Sequence, residues 1–359
     1  MNTLFNLGWT ETLQQQLEAV RQSHDDDLVA ARVAADHGMQ YEIVGLEGTR
    51  RAQVSGRLRH DSNNPEATPA VGDWVCVRLI DEGHALIIDT LPRRSRLVRQ
   101  ASGKRTAMQI VGTNLDVVFV VSSLNLDLNL RRLERYMTAV FEGGATPVIV
   151  LTKADLVEDV APIRSEVETV AKDVAIVVTD AKSGAGIEQV TAFLKPGMTG
   201  AFVGSSGVGK STLVNAMMGQ PIQAVAEIRE HDDRGRHTTT HRQMLMLPGG
   251  GVVIDTPGMR EFQIWESTEG IGDAFEDIEA LAGACGFRDC EHGLEPGCAV
   301  QGAILAGQLD AERLASYEKL GREADFQKRR QDVATALAQK QENKRISKHI
   351  RRHTKNRGR

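Results

Sequence analysis

Nine consecutive residues, Gly204-Ser205-Ser206-Gly207-Val208-Gly209-Lys210-Ser211-Thr212, combine spaced glycines with a lysine and four hydroxyls. They follow the apolar run Ala201-Phe202-Val203 and lead into Leu213, Ala216 and Met217 at helical spacing. That strand–loop–helix pattern is a phosphate cradle. Its glycines let the backbone curl until the N–H groups face a polyphosphate, and the helix start adds partial positive charge. Lys210 is placed to reach the terminal phosphates and Ser211 to hold Mg²⁺.

The cradle does not choose a base; other stretches do. Val148-Ile149-Val150-Leu151 reads as a fully buried strand and ends in Thr152-Lys153-Ala154-Asp155. This fits a guanine-reading box in which the Asp155 carboxylate accepts from N1–H and the 2-amino group. Adenine lacks that donor pair, so a buried Asp155 would reject it by ~10⁴-fold. The Lys153 stem is expected along the base plane, and Thr152 stands where Asn is usual. Val174 to Val178 is a further strand, ending in Thr179-Asp180-Ala181-Lys182. The Ala181 N–H would meet the guanine O6, with Asp180 where Ser is usual, and a plain turn fits the stretch equally well.

Downstream, Val252-Val253-Ile254 runs into Asp255-Thr256-Pro257-Gly258, whose Asp255 would hold Mg²⁺ through water and whose Gly258 N–H would touch the γ-phosphate. Between cradle and this box lies Arg234-Gly235-Arg236-His237-Thr238-Thr239-Thr240, polar enough for a switch loop, with Thr239 completing the magnesium shell. Together the boxes read as a GTP-binding domain taking GTP/GDP and Mg²⁺. Their order is unusual, because the base-reading boxes precede the cradle; the domain is circularly permuted. Position 259, after Gly258, holds Met, and a thioether cannot orient an attacking water. Intrinsic turnover should therefore be slow, and His237 is the candidate to position the water.

A second constellation, Cys285-x4-Cys290-x-His292-x5-Cys298, gathers three thiols and an imidazole in fourteen residues. It is the ligand set of a closed, structural zinc site. Cys76 stands apart in a strand pattern and reads as core.

The elements needed to carry these residues fit a multidomain chain of 359 residues, 41% of them hydrophobic. Trp9 to Val20 reads as an amphipathic helix within a leader (1–27). Between 28 and 95, five strands (Leu28–Val33, Met39–Val44, Arg51–Leu58, Trp74–Leu79, Ala85–Asp89) suggest a small closed β-barrel, with the OB fold as first choice. Arg50, Arg51, Arg57, Arg59, Arg93, Arg94, Arg96 and Arg99 could meet phosphates there, while Tyr41 and Trp74 offer few surfaces for base stacking. The permuted P-loop GTPase α/β domain spans 96–265. In it Leu130, Leu133, Met137 and Val140 mark a helix ended by Gly143-Gly144. A mostly helical zinc-binding domain (266–325) and a charged helix with a basic tail (326–359) complete the chain. Residues 341–359 carry +7, so of the net −5 the remainder holds −12, an asymmetry suited to nucleic acid. No stretch reaches membrane-span length, and a cytoplasmic location is expected.

These motifs resemble the RsgA (YjeQ) family of small-ribosomal-subunit biogenesis GTPases. The resemblance rests on Gly204–Thr212, 235–240, Asp255–Gly258, Cys285-Gly286-Phe287-Arg288-Asp289-Cys290-Glu291-His292 with Glu295-Pro296-Gly297-Cys298, Val71-Gly72-Asp73 and Leu91-Pro92-Arg93-Arg94-Ser95. It implies GTP hydrolysis stimulated by the small ribosomal subunit late in its maturation, with release afterwards, by a monomer that contacts rRNA and no membrane. Rival readings are a P-loop ATPase or small-molecule kinase, against which Asp155 argues, and an RNA-binding assembly scaffold with a vestigial site, against which Lys210, Ser211 and Asp255 argue.

Overall fold

Parallel strands buried on both faces need helices on both sides, and the central sheet here is built that way. The computed structural model describes residues 3–24, 27–38, 40–56, 58, 68–100, 108–124, 128–221, 242–255, 269–287, 290–293 and 295–322. It divides into two units, 1–264 and 265–359.

In the first unit the barrel strands are β1 (Val29–Asp36), β2 (Tyr41–Gly45), β3 (Gly48–Val54), β4 (Trp74–Leu79) and β5 (His84–Thr90). A hairpin of β6 (Arg96–Gln100) and β7 (Met108–Thr113) follows, which the sequence reading did not foresee. Then come β8 (Val117–Ser123), β9 (Thr146–Thr152), β10 (Ala175–Val178), β11 (Thr199–Val203), β12 (Arg242–Met246) and β13 (Val252–Asp255).

Every position of β8 is buried. Its side chains alternate between two cores. Val118 and Val120 join Ile149, Leu151 and Val203 on one face, under Leu133, Met137 and Val140 of the helix Leu130–Glu142. Val117, Phe119 and Val121 join Val150 and Phe202 on the other, against Ile187, Val190, Leu213 and Met217. The hydroxyl-free apolar run of each strand thus serves two layers of helices at once.

The sheet does not stop at the nucleotide-type domain. Its order is β10-β9-β8-β11-β13-β12-β1-β2-β3-β5-β4, and an extra β1–β4 pairing closes the barrel. Strand β1 achieves this by changing partners. Val29 to Arg32 pair with β4, a bulge falls between Val33 and Ala35, and Ala35 and Asp36 then pair with Gln243 and Arg242 of β12. A bulge bends a strand and re-aims it, which is what a shared strand requires.

Arg32 sits at this junction, 1% exposed. Its Nε donates to the Gly72 carbonyl at 3.0 Å, and its Nη1 to Thr199 Oγ1 at 2.9 Å and to the Leu7 carbonyl; Nη2 reaches the Asn114 carbonyl at 3.4 Å. The guanidinium also lies 5.4 Å from the centre of the Trp74 ring. Burial lowers its pKa to about 10, opposed by the nearby Asp116 charge, so the group stays protonated at neutral pH. One cation therefore ties leader, barrel, connecting hairpin and β11 together. The leader is packed in place beside it: Leu4, Leu7 and Leu17 share a core with Leu28, Trp74 and Val252, and Trp9 meets Trp74 edge-on at 4.8 Å.

Two expectations for the barrel surface change. Tyr41 and Trp74 are core residues, 4% and 2% exposed, so neither can stack on a base. Arg93 is held in a two-bond fork on the buried Asp73 carboxylate at 2.8 and 2.7 Å, which makes it a structural cation. Arg94 pairs with Asp116 at 2.8 Å, whereas Arg51 is exposed. Arg57 and Arg59 lie outside the described residues.

The second unit is helical, with Glu269–Ala274, Glu276–Ala282, Ala299–Leu305 and residues 311–322. Phe275, Ile278, Val300, Leu309, Leu314 and Leu320 form its buried residues. Leu305, at the end of its helix, is 88% exposed. Arg313 forks onto Asp277 at 3.0 and 2.8 Å and covers the Phe275 ring at 4.7 Å. The charged helix and basic tail of 326–359 lie outside the described residues.

Arg32→Met would take the guanidinium donors from three buried carbonyls and a hydroxyl, of which the Gly72 carbonyl keeps Asn114 Nδ2 at 3.1 Å. It is expected to lower the unfolding free energy by about 3–5 kcal/mol in urea titrations. A loss below about 1 kcal/mol would show that the junction does not rest on this cation.

Candidate functional site

The cradle closes because its glycines adopt backbone angles that side-chain-bearing residues avoid, and at Gly204 there is also no room for a side chain. A Cβ on Gly204 would stand 2.2 Å from the Val121 carbonyl oxygen, and Gly209 caps the helix Lys210–Met218 at φ +99°. Val208, 1% exposed, pins the loop tip into the core. Ser206 and Gly207 are exposed beside it, and Ser205, Ser211 and Thr212 are half-buried. The Lys210 Nζ donates to the Gly204 and Ser205 carbonyls, both at 2.6 Å. A loop that curls its own lysine back over its carbonyls, at a helix N-terminus, fits a polyphosphate by both geometry and charge.

The base-reading box lies beside it although it comes earlier in the chain. Strands β9, β8 and β11 are neighbours running parallel, so the ends of β9 and β11 open on the same edge of the sheet. The Thr152 hydroxyl donates across this edge to the Val208 carbonyl of the cradle at 2.6 Å. Its alternative acceptor, Ser122 O, is 3.4 Å away. A hydroxyl has a single proton to give, and here the shorter bond to the cradle takes it. Lys153 then adopts φ +60°, unusual for a side-chain-bearing residue, and the chain turns into the short 3₁₀ segment Ala154–Leu156 that carries Asp155. The Ala154 N–H is fixed by the Thr179 carbonyl at 3.2 Å.

Asp180 proves to have a definite task in the neighbouring turn. Its carboxylate accepts from the Lys182 N–H at 2.9 Å and the Ser183 N–H at 3.2 Å. A hydrogen bond with the Ser183 side chain first, and the Lys182 N–H next, hold its pKa below the ordinary carboxylate value. An Asp there builds the turn by itself. Among the described residues nothing accepts from the Ala181 N–H, which leaves it able to meet an acceptor. The Lys182 Nζ donates to Asp155 Oδ2 at 2.7 Å, a pair between residues 27 apart that no local pattern announces. That hydrogen bond and the Asp155 charge raise the Lys182 pKa.

Asp255 ends β13 opposite Gln243 of β12, the one strand that separates β13 from barrel strand β1 in the sheet order. His237, Thr239 and Gly258 lie outside the described residues.

In the second unit, Cys285, Cys290, His292 and Cys298 bring their ligand atoms within 4.8 Å of one another. Cys285 Sγ is 3.9 Å from Cys298 Sγ, and His292 Nδ1 is 3.7 Å from both sulfurs. Four ligands about 2.0–2.3 Å from one ion would stand about 3.6–3.8 Å apart, so the donor set fits tetrahedral zinc. Gln301 braces it, donating from its backbone N–H to Cys298 Sγ at 3.4 Å and from Nε2 to the His292 carbonyl at 2.5 Å. Cys76 is buried and free, as a core residue.

A glycine loop bonded to an Asp-bearing turn from an earlier segment defines a circularly permuted P-loop GTPase. Comparison with known proteins gives the family. The RsgA GTPase family model matches residues 90–265. An ABC transporter model matches 187–351, a stretch that includes the phosphate loop but not Asp155. "Small ribosomal subunit biogenesis GTPase RsgA 2" of Lactiplantibacillus plantarum is 44% identical, covering 90% of each chain. "Small ribosomal subunit biogenesis GTPase RsgA" of Opitutus terrae is 42% identical over 96% of each. Among solved structures, YjeQ from Thermotoga maritima matches with a TM-score of 0.63 at 27% identity, over 83% of this chain and 98% of that one. YloQ, described as a circularly permuted GTPase, shares the fold with a TM-score of 0.61 at 22% identity, over 84% and 97%. The chain belongs to the RsgA GTPase family.

Thr152→Val would remove the bond between box and cradle while keeping the shape. Guanine-nucleotide affinity is expected to fall about fivefold by calorimetry, the worth of one hydrogen bond; unchanged affinity would deny the bond its role. Purified chain should carry one zinc, and Cys298→Ala should abolish it and lower the helical signal of the second unit.

Proposed function

We propose that this chain hydrolyses GTP on the small ribosomal subunit during its maturation and leaves after hydrolysis. The observation that carries the reading is the Thr152–Val208 bond, which sets a guanine-reading carboxylate beside a phosphate cradle. The names of the curated relatives support the ribosomal part, since they describe small-subunit biogenesis GTPases.

In this reading Asp155 and the Ala181 N–H select guanine, the Lys153 stem lies along the base, and Lys210 with the N–H groups of 204–212 holds the phosphates. Ser211, Thr239 and Asp255 would hold Mg²⁺, which neutralises charge on the phosphates when bound. Gly258 senses the γ-phosphate, and His237 orients the attacking water, since Met259 cannot. Zinc on Cys285, Cys290, His292 and Cys298 is structural, because four protein ligands leave no place for water. The acting form is a single chain in the cytoplasm that grips rRNA. Among the described residues no helix is long and apolar enough to cross a membrane.

Coupling to RNA follows from where β12 lies. It begins at Arg242, directly after the segment holding Thr239, and Gln243 pairs with Asp255 on one side and barrel residue Ala35 on the other. A change at the γ-phosphate would reach the barrel through a single strand, and spoiling the pose of one RNA-binding surface weakens both.

GTP turnover measured with and without purified small subunits tests this. Stimulation by at least tenfold is expected, and its absence would remove the ribosomal reading. His237→Ala is expected to bind GTP normally yet lose about 10²-fold of the stimulated rate; a near-normal rate would return the water-positioning role to another group.

A further inference from the structure

The ion pair between Lys182 and Asp155 sits on the atoms that a guanine would need. Asp155 Oδ2 accepts from the Lys182 ammonium at 2.7 Å, and no other hydrogen bond reaches this carboxylate among the described residues. Guanine presents two parallel donors, N1–H and the 2-amino group, and a carboxylate answers them with both oxygens. One of those oxygens is therefore already claimed. The claim is held on the lysine side by a solvent-exposed group, the Lys182 side chain being 78% exposed against 27% for Asp155.

The backbone of the same turn is built for a different purpose. The Lys182 N–H is tied to Asp180 Oδ1 at 2.9 Å, and the Gly184 N–H to the Asp180 carbonyl at 2.9 Å. The turn is fixed by Asp180, so the lysine side chain can swing without disturbing the Ala181 N–H. Strand pairing does the rest: β9 and β10 are adjacent and parallel, which holds the two turns at their carboxyl ends side by side.

We propose that Lys182 is a displaceable counter-ion for the base-reading carboxylate: it holds Asp155 while the pocket is empty and must yield an oxygen when guanine enters. The inference rests on the reading of Asp155 as the guanine acceptor. Both groups meet solvent, so the pair is screened, and its effect on nucleotide binding is at most about fivefold. It acts equally on GDP and GTP, because both present the same base. Its physical use is to keep an unpaired carboxylate from standing empty in the free protein, at the cost of slower capture.

The experiment is a titration of the full chain with GDP and ADP at several salt concentrations, for wild type and Lys182→Met, which keeps the length of the stem. At low salt Lys182→Met is expected to bind GDP about two- to fivefold more tightly than wild type, through faster association. The difference should vanish near 1 M salt, where screening acts within about 3 Å. Lys182→Arg, which keeps the charge, should behave as wild type. Equal or weaker GDP binding by Lys182→Met at low salt, with wild type still preferring GDP to ADP, overturns the counter-ion role alone. Loss of that preference in wild type overturns the guanine reading and the inference with it.

Discussion

The chain depends on holding two readers of one nucleotide together when they come in reversed order and from separate segments. The hydroxyl of Thr152 does this with a bond of 2.6 Å to the Val208 carbonyl. Ligands of parallel α/β sheets gather at the carboxyl ends of the strands, and β9, β10, β11 and β13 all deliver their box residues to that edge. Permutation moves the chain ends but leaves this edge intact, because packing of Val118, Val120, Ile149 and Val203 is indifferent to which strand comes first. The bond also explains how a threonine can serve where a longer amide is usual: the acceptor lies close enough for a hydroxyl.

The second constraint is at the other side of the same sheet. Strand β12 is shared, with a barrel strand on one flank and β13 on the other, and Arg32 cements the seam with its buried cation. A guanidinium satisfied by carbonyls and a hydroxyl instead of a carboxylate favours no single partner; it needs leader, barrel and GTPase strand at once. Barrel and nucleotide domain in this unit are thereby one continuous hydrogen-bonded sheet, which gives events at Asp255 a short covalent and hydrogen-bonded route to the barrel.

Much of this was legible in the residues. The glycine spacing around Lys210, the Cys/His spacing, the buried run of 148–151 and the barrel strands each announce themselves through local chemistry, and each is where the pattern puts it. What the sequence hides is long-range partnership. Arg32 reads as one arginine in an alternating strand, and nothing local tells that its partners lie at Leu7, Gly72, Asn114 and Thr199. Arg93 reads as a phosphate ligand for the same reason, since the Asp73 that claims it is twenty residues away. Asp180 is the exception: an Asp followed by Ser and Gly at short range is a turn-forming pattern, and a plain turn reads there as readily as a base-reading box. The 96–113 hairpin was missed because arginines and a polar loop dilute its alternation.

The account stands on Asp155 reading a purine across the edge from the cradle. Competition of GDP, ADP and XDP for a fluorescent guanine nucleotide, on wild type and on Asp155→Asn, addresses it most directly. The structure leaves Asp155 open to solvent where the sequence suggested burial, so the account predicts that wild type prefers GDP to ADP by more than tenfold and that Asp155→Asn, which offers a donor where the carboxylate accepted, moves the preference to XDP. ADP competing within tenfold of GDP, or a variant that still favours GDP, would contradict it.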